Sequence, residues 1–152
     1  MRKSKKEAGI INTQQMPSGA PTKEDIEDYL QKVRDSIDSH HFHISMNLNR
    51  PDNRAFFATY CCTEADAAAI CRGLTYRDFS KCEPSRNQHN VGQLLYFFGK
   101  KVFLNKRIDD GTGEIEVEIY IKFDLKQSGT TICVSFHKAA FPINYYFNSH
   151  AD

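Results

Sequence analysis

No run of apolar residues in this 152-residue chain approaches the length of a membrane-spanning helix. The N-terminus, MRKSKKEAGIINTQQ, is basic, but no apolar core follows it, which excludes a secretory signal. The five cysteines, Cys61, Cys62, Cys71, Cys82 and Cys133, make an odd number with no C-x-x-C pair, so zinc-ligand spacing is missing. Reduced thiols in a cytoplasm are the expectation, with Cys61-Cys62 as buried filler. G-x-S-x-G, P-loop, H-E-x-x-H and dinucleotide fingerprints are all absent, and no metal or cofactor is expected. Neither charge dominates: 20 Lys and Arg stand against 19 Asp and Glu, for a formal net charge of +1. A nucleic-acid site would therefore have to be a local cluster of cations.

The length suits one domain with a real core. Residues 1–21, punctuated by Pro17, Gly19 and Pro21, read as a flexible tail, and residues 22–152 as a single α+β domain. Thr22 can cap a helix, with Glu24 and Asp25 in its first turn; Ile26, Tyr29, Leu30, Val33 and Ile37 keep helical spacing to about Ser39. Phe42, Ile44, Met46 and Leu48 then alternate with His41, His43, Ser45 and Asn47, the period of a strand. His41 and His43 share a strand face without a paired cysteine or carboxylate, which reads as a solvated face. Arg50-Pro51-Asp52-Asn53 has turn chemistry. Thr63 and Asp66 open a second helix that ends at Gly73. Residues 74–90 read as a polar surface segment packed by Leu74, Tyr76 and Phe79.

Three strands follow: LLYFFGKKVFL, EIEVEIYIKFDL and TTICVSFHKA. The turn residues Asp109 to Gly113 separate the first two and Ser128-Gly129 the last two. N-terminal helices packed on a C-terminal antiparallel sheet are expected. In the middle strand Ile115, Val117, Ile119, Ile121, Phe123 and Leu125 share one face. Glu114, Glu116, Glu118, Tyr120, Lys122, Asp124 and Lys126 share the other, so one face is core and the other wet. In the last strand Ile132, Val134 and Phe136 are expected inward, and Thr131, Cys133, Ser135 and His137 outward. A two-residue turn at Ser128-Gly129 sets Leu125 opposite Ile132, Lys122 opposite Ser135 and Tyr120 opposite His137. As a non-hydrogen-bonded pair, Tyr120 and His137 would have Cα atoms about 4.5 Å apart.

That pattern allows a polar sheet face with an incidental aromatic–imidazole pair, and it also allows an RNA site. Cleavage of RNA through attack by its own 2′-hydroxyl needs a base, an acid and cations on the phosphate, but no metal. His137 is the natural acid or base. Tyr120 can donate a hydrogen bond, pass a proton or stack on a base. Lys122 and Lys100 can stabilise charge on the phosphate, while Lys81, Arg86, Lys101 and Lys138 supply cations for RNA binding. Cys133 on the outer face, two rungs from His137, offers a thiol alternative without a motif.

The segments Gly73-Leu74, Asp78-Phe79-Ser80-Lys81, Glu118 to Phe123 and Cys133 to Ala139 resemble the MqsR-like toxins of toxin–antitoxin systems, within the wider RelE-like ribonuclease fold. The similarity spans most of residues 22–143. It implies a small metal-independent endoribonuclease that cuts messenger RNA in the cytoplasm and is neutralised by a cognate antitoxin. In the same resemblance Tyr120, Lys122 and Lys81 match the family's strand tyrosine, strand lysine and D-F-Y-K lysine. His137 stands where the family's S-F-K motif ends in lysine. The family's glutamine has Gln93 and Gln88 as candidates. Glu114, Glu116 and Glu118 on the outer face are unfavourable for RNA unless they lie away from the site. A non-catalytic RNA- or protein-binding module of the same fold is the alternative, and a structural or regulatory partner protein a third reading.

Overall fold

The computed structural model describes residues 20–86 and 92–149; the expected N-terminal tail falls almost wholly outside them. The first helix, α1 (Lys23–Asp38), begins where the sequence places it. Thr22 Oγ1 accepts from the Asp25 amide at 3.1 Å, and Asp25 returns a bond to the Thr22 amide at 2.9 Å. This reciprocal cap satisfies two N-H groups that the helix cannot. Ile26, Tyr29, Leu30 and Val33 form its buried stripe, and the Tyr29 ring stacks on Tyr96 of the sheet with centroids 3.7 Å apart. The third helix, α3 (Glu64–Arg72), repeats the device with Thr63 and Asp66 and ends at Gly73. Arg72 clasps Asp38 through two 2.8 Å bonds, tying α3 to α1.

Between them lies a helix that the turn reading did not foresee, α2 (Pro51–Thr59). Pro51 occupies its first turn, where a missing N-H costs nothing, and Asp52 places negative charge at its start. The same four residues thus serve as a helix entry and not as a turn. The preceding strand is also shorter than the alternation suggests: β1 covers Phe42–Ile44, and Leu48 is exposed.

The sheet has four further strands: β2 (Phe79–Pro84), β3 (Leu94–Leu104), β4 (Ile115–Leu125) and β5 (Thr131–Lys138). A short 3-10 turn, Tyr76–Asp78, precedes β2, and a helical turn, α4 (Tyr146–Ser149), closes the described chain. The strand order is β1-β5-β4-β3-β2. The architecture is α+β with N-terminal helices, as expected, but the sheet is mixed: β1 runs parallel to β5 while the other pairs are antiparallel. The segment read as polar surface contributes β2, the edge strand. One hydrophobic cluster joins α1, α2 and α3 to the inner face of the sheet.

The β4-β5 hairpin departs from the expected register in one half only. Near the turn, Leu125 pairs with Thr131 and Phe123 with Cys133; further on, Lys122 pairs with Ser135 and Tyr120 with His137. The Lys126 amide bonds the Thr130 carbonyl at 2.8 Å, closing a loop of Gln127, Ser128 and Gly129, with Gly129 at φ 96°. An odd loop shifts the register by one residue, and a bulge at Val134 returns it. Thr131 and Cys133 therefore face the core and are fully buried, whereas Ile132 and Val134 turn to the outer side. Thr131 is tolerated there because its hydroxyl is hydrogen-bonded to Ser36 Oγ at 2.8 Å. The outward Cys133 expected from the alternation is thus corrected. Cys61, expected buried, is exposed, while Cys62 is buried and its thiol is pushed up to about 11 by desolvation.

The bulge is held from outside the sheet. Asn53 on α2 is 1% exposed. Its Nδ2 donates to the carbonyls of Ser45 at 2.8 Å and Val134 at 3.0 Å, and its Oδ1 accepts from the Phe136 amide at 2.9 Å. Among the described residues no strand covers this edge of β5 beyond Ile44, so one side-chain amide takes the place of a neighbouring peptide. Asn53→Ala should lower folding stability by about 3 kcal/mol, because the partner groups are left buried and unpaired. Urea denaturation checks this, and a loss under about 1 kcal/mol would contradict the role given to the amide.

Candidate functional site on the outer sheet face

The outer face is organised in rows that cross the strands. One row runs Lys81 (β2), Phe97 (β3), Lys122 (β4), Ser135 (β5); the next runs Gly99 (β3), Tyr120 (β4), His137 (β5). Tyr120 and His137 are half-buried neighbours with ring centroids 5.3 Å apart and planes tilted by 33°. The edge of Tyr120 also meets Phe97, with centroids 5.8 Å apart.

Phe97 explains why the lysines gather here. It lies on the polar side of β3 yet is 4% exposed, because two ammonium groups close over it. Lys81 Nζ stands 4.9 Å and Lys122 Nζ 5.2 Å from its ring centre. The ring's negative face holds the cations above the sheet and limits how far their stems can wander. Lys81 also pairs with Glu83 at 2.7 Å. Lys122 sits in a field of like charge: desolvation first, then Arg50, Lys81 and Arg86, hold its ammonium below the usual lysine range, and Glu83 opposes them. Arg50, at the mouth of α2, was not singled out by the sequence; no local pattern places it beside β4.

The His137 ring is oriented by its own chain. Nδ1 lies 2.9 Å from the Lys138 carbonyl. A carbonyl can only accept, so Nδ1 carries a proton, and in the neutral ring Nε2 is left as the acceptor. Burial and the Glu83 carboxylate raise Tyr120 above the usual phenol range, so its hydroxyl keeps its proton at neutral pH.

Beyond Tyr120 the chain folds back over the sheet. Residues 139–145 form a strap whose amides and hydroxyls converge on Glu118. The Ala139 amide bonds the Glu118 carbonyl at 2.9 Å, the Ile143 amide bonds Oε1 at 3.2 Å, and the Tyr145 hydroxyl bonds Oε2 at 2.7 Å. Ser80 Oγ donates to the Asn144 carbonyl at 2.8 Å. Gly99 permits this crossing, since a Cβ there would lie 2.5 Å from both Ile143 Cδ1 and the Tyr145 hydroxyl. Glu118, one of the carboxylates unfavourable for RNA, is therefore engaged in holding the strap.

Of the residues selected from sequence, Tyr120, His137, Lys122 and Lys81 come together, and Arg86 is near enough to act on Lys122. Lys100 does not join them. It pairs in register with Ile119, on the core parity of β3, and reaches Asp78 at 3.5 Å. Lys138 takes the same side at the end of β5, opposite Ile119, and lines a shallow hollow with Asp52 and Thr59 of α2. Lys101 is exposed on the outer face opposite Glu118, one row beyond Tyr120. Gln93 is buried at the far end of β3, donating to the Leu125 carbonyl at 2.8 Å. Gln88 lies outside the described residues. Among the described residues, no group of three His, Cys, Asp or Glu side chains is placed to hold a metal ion. Likewise, no described helix is long and apolar enough to cross a membrane.

No protein-family model, curated protein or solved structure matches the chain.

A depressed lysine makes folding cost something while the amine is charged. The cost is fully present below the folded-state value and is relieved as pH rises toward the unfolded one. Lys122→Met should therefore melt at a higher temperature than the parent at neutral pH and low salt. The gap should narrow with added salt and with rising alkaline pH. Scanning calorimetry across pH and salt reads this directly; a variant less stable than the parent throughout would refute the crowding of charge.

Proposed function

We propose that the outer face is the active site of a metal-independent endoribonuclease of the toxin type. The observation that carries this reading is the Tyr120–His137 pair, 5.3 Å between ring centres, beside two lysines held over Phe97. His137 Nε2 takes the proton of the RNA 2′-hydroxyl as its oxygen bonds the adjacent phosphorus. The bond from phosphorus to the 5′-oxygen breaks, and Tyr120, protonated at neutral pH, gives its proton to the departing oxygen. Lys122 and Lys81 offset the charge that builds on the non-bridging oxygens, with Arg50 and Arg86 extending the positive field along the strand. The lowered proton affinity of Lys122 fits such a place, since a phosphate would add to the counter-charge that Glu83 supplies.

In this reading messenger RNA is the substrate, a cognate antitoxin is the partner that covers the face, and the cytoplasm is the place of action. The similarity to MqsR-like toxins in the β4 and β5 motifs is consistent with it, with histidine at position 137 supplying a titrating group where that family has lysine.

Incubation of the protein with a mixed transcript in EDTA should yield fragments ending in 2′,3′-cyclic phosphate and beginning with a 5′-hydroxyl. His137→Ala should slow cleavage by about 10²–10⁴-fold, the range of one acid–base group. Tyr120→Phe should slow it with no change in fold, and Lys100→Ala should leave it unchanged. Intact RNA that is nevertheless retarded on a gel would replace catalysis by binding; full activity in both His137→Ala and Tyr120→Phe would remove the site.

A further inference from the structure

The Tyr120–His137 pair is the floor of a cleft of about 510 Å³ whose far wall is the strap. The cleavage chemistry above uses the floor and the neighbouring lysines, and gives the strap no part. The wall differs in kind: from Ala139 to Ile143 it presents carbon, and Phe141 keeps 81% of its surface exposed at the rim. Lys81 and Ser80 close the side next to β2. An apolar wall, an aromatic floor and a cation at the mouth complement a flat ring that carries an anion. Inorganic phosphate would use the cation and leave the wall idle.

The volume falls within the range of about 300–1,000 Å³ that holds small organic ligands. The wall is also built in advance. Its bonds to Glu118, the Ser80–Asn144 bond and the close crossing over Gly99 fix the strap against the sheet, so little ordering is left to be done on binding.

We propose that this cleft receives one unstacked nucleobase together with its phosphate. The base lies along the strap with Phe141 as its stacking partner, and the phosphate sits between Lys81 and His137. The strap thereby chooses which nucleotide stands beside the broken bond. The choice of cleavage site rests on the ribonuclease reading; the binding of a nucleotide does not.

Isothermal titration with the four nucleoside 3′-monophosphates, with inorganic phosphate and with uncharged nucleosides tests the cleft. At least one nucleotide should bind ten or more times tighter than phosphate. Phe141→Ala should weaken that nucleotide by about tenfold, the scale of one base–aromatic stack, and leave phosphate unaffected. Gly99→Ala, which forces the strap away, should weaken it similarly, and Lys81→Ala should weaken nucleotide and phosphate alike. Equal affinity for phosphate and every nucleotide, or a Phe141→Ala variant indistinguishable from the parent, overturns the proposal.

Sequencing of the 5′-hydroxyl ends separates this idea from the nuclease itself. Phe141→Ala should flatten base preference next to the cut while cutting continues. Cleavage with unaltered preference in that variant would sink the base site and spare the nuclease. Tight nucleotide binding by a protein that never cuts RNA would do the reverse.

Discussion

The amide of Asn53 decides which way the end of β5 faces. Its three bonds, to Ser45, Val134 and Phe136, hold a strand edge that has lost its neighbour just where the bulge restores register. Without the bulge, the one-residue offset from the Gln127–Gly129 loop would run to the end of the hairpin. His137 would then turn toward the helices and Phe136 toward water, because a one-residue slip exchanges the faces of a strand. Phe136 is fully buried and packs edge-on against Phe56 with centroids 5.4 Å apart, so the core and the Asn53 amide act in the same direction. Both anchors come from α2. A helix placed for packing thereby also sets which face of the sheet carries the imidazole.

The outer face is narrowed by two segments that reach over it from opposite ends. The β1-α2 connection brings Arg50 toward Lys122, and the strap brings Ile143 and Tyr145 across β3. Each crossing has its own physical condition. The first needs α2 tied to the edge of β5 by Asn53. The second needs a strand residue without a side chain, which Gly99 provides, and a carboxylate to gather the strap's donors, which Glu118 provides. What remains open between them is the strip of Lys81, Phe97, Lys122, Tyr120 and His137. Its polar and aromatic character is therefore not the generic character of a wetted sheet: Phe97 is covered by cations, and the two rings share a cleft with carbon.

Much of this was legible in the residues, and the parts that were not share a reason. The faces of β4 follow from period-two alternation, the existence of β3 and β5 from the turn residues that bound them, and α1 and α3 from their Thr–x–x–Asp boxes, because those signals are local. The Tyr120–His137 pairing also emerged, since it lies beyond the bulge where the expected and actual registers coincide. Ile132 and Val134 misled because they share the parity of Phe136. Loop length, the Gly129 conformation and a hydrogen bond between Ser36 and Thr131 outweighed that pattern, and the last of these is a tertiary fact. The α2 entry was ambiguous because proline, aspartate and asparagine serve turns and helix starts equally. Lys100 was misplaced by assigning both it and Lys101 to the same RNA-facing side, although neighbours on a strand face opposite ways. Phe97 carried no usable sign, because both parities of β3 are mostly apolar; only the pairing with β2 and β4 turns it outward, where lysines two strands apart cover it.

The electrostatics of the strip distinguish it from a face shaped only for solubility. Surface lysines ordinarily gain a little from scattered carboxylates and lose little to each other. Lys122 instead stands half-buried among three cations with Glu83 as the counterweight, and Glu83 is already bound to Lys81. Such crowding opposes folding and would be relieved by any anion that settles across Lys81 and Lys122. The same carboxylate helps keep the Tyr120 phenol protonated, while the Lys138 carbonyl keeps the Nε2 lone pair of neutral His137 facing outward. A donor and an acceptor of protons thus stand side by side next to a cluster of cations that Glu83 only partly offsets. In the proposed reading, a phosphodiester with a hydroxyl on one side and an ester oxygen on the other would answer all three demands at once. A carboxylate ligand would answer only the charge.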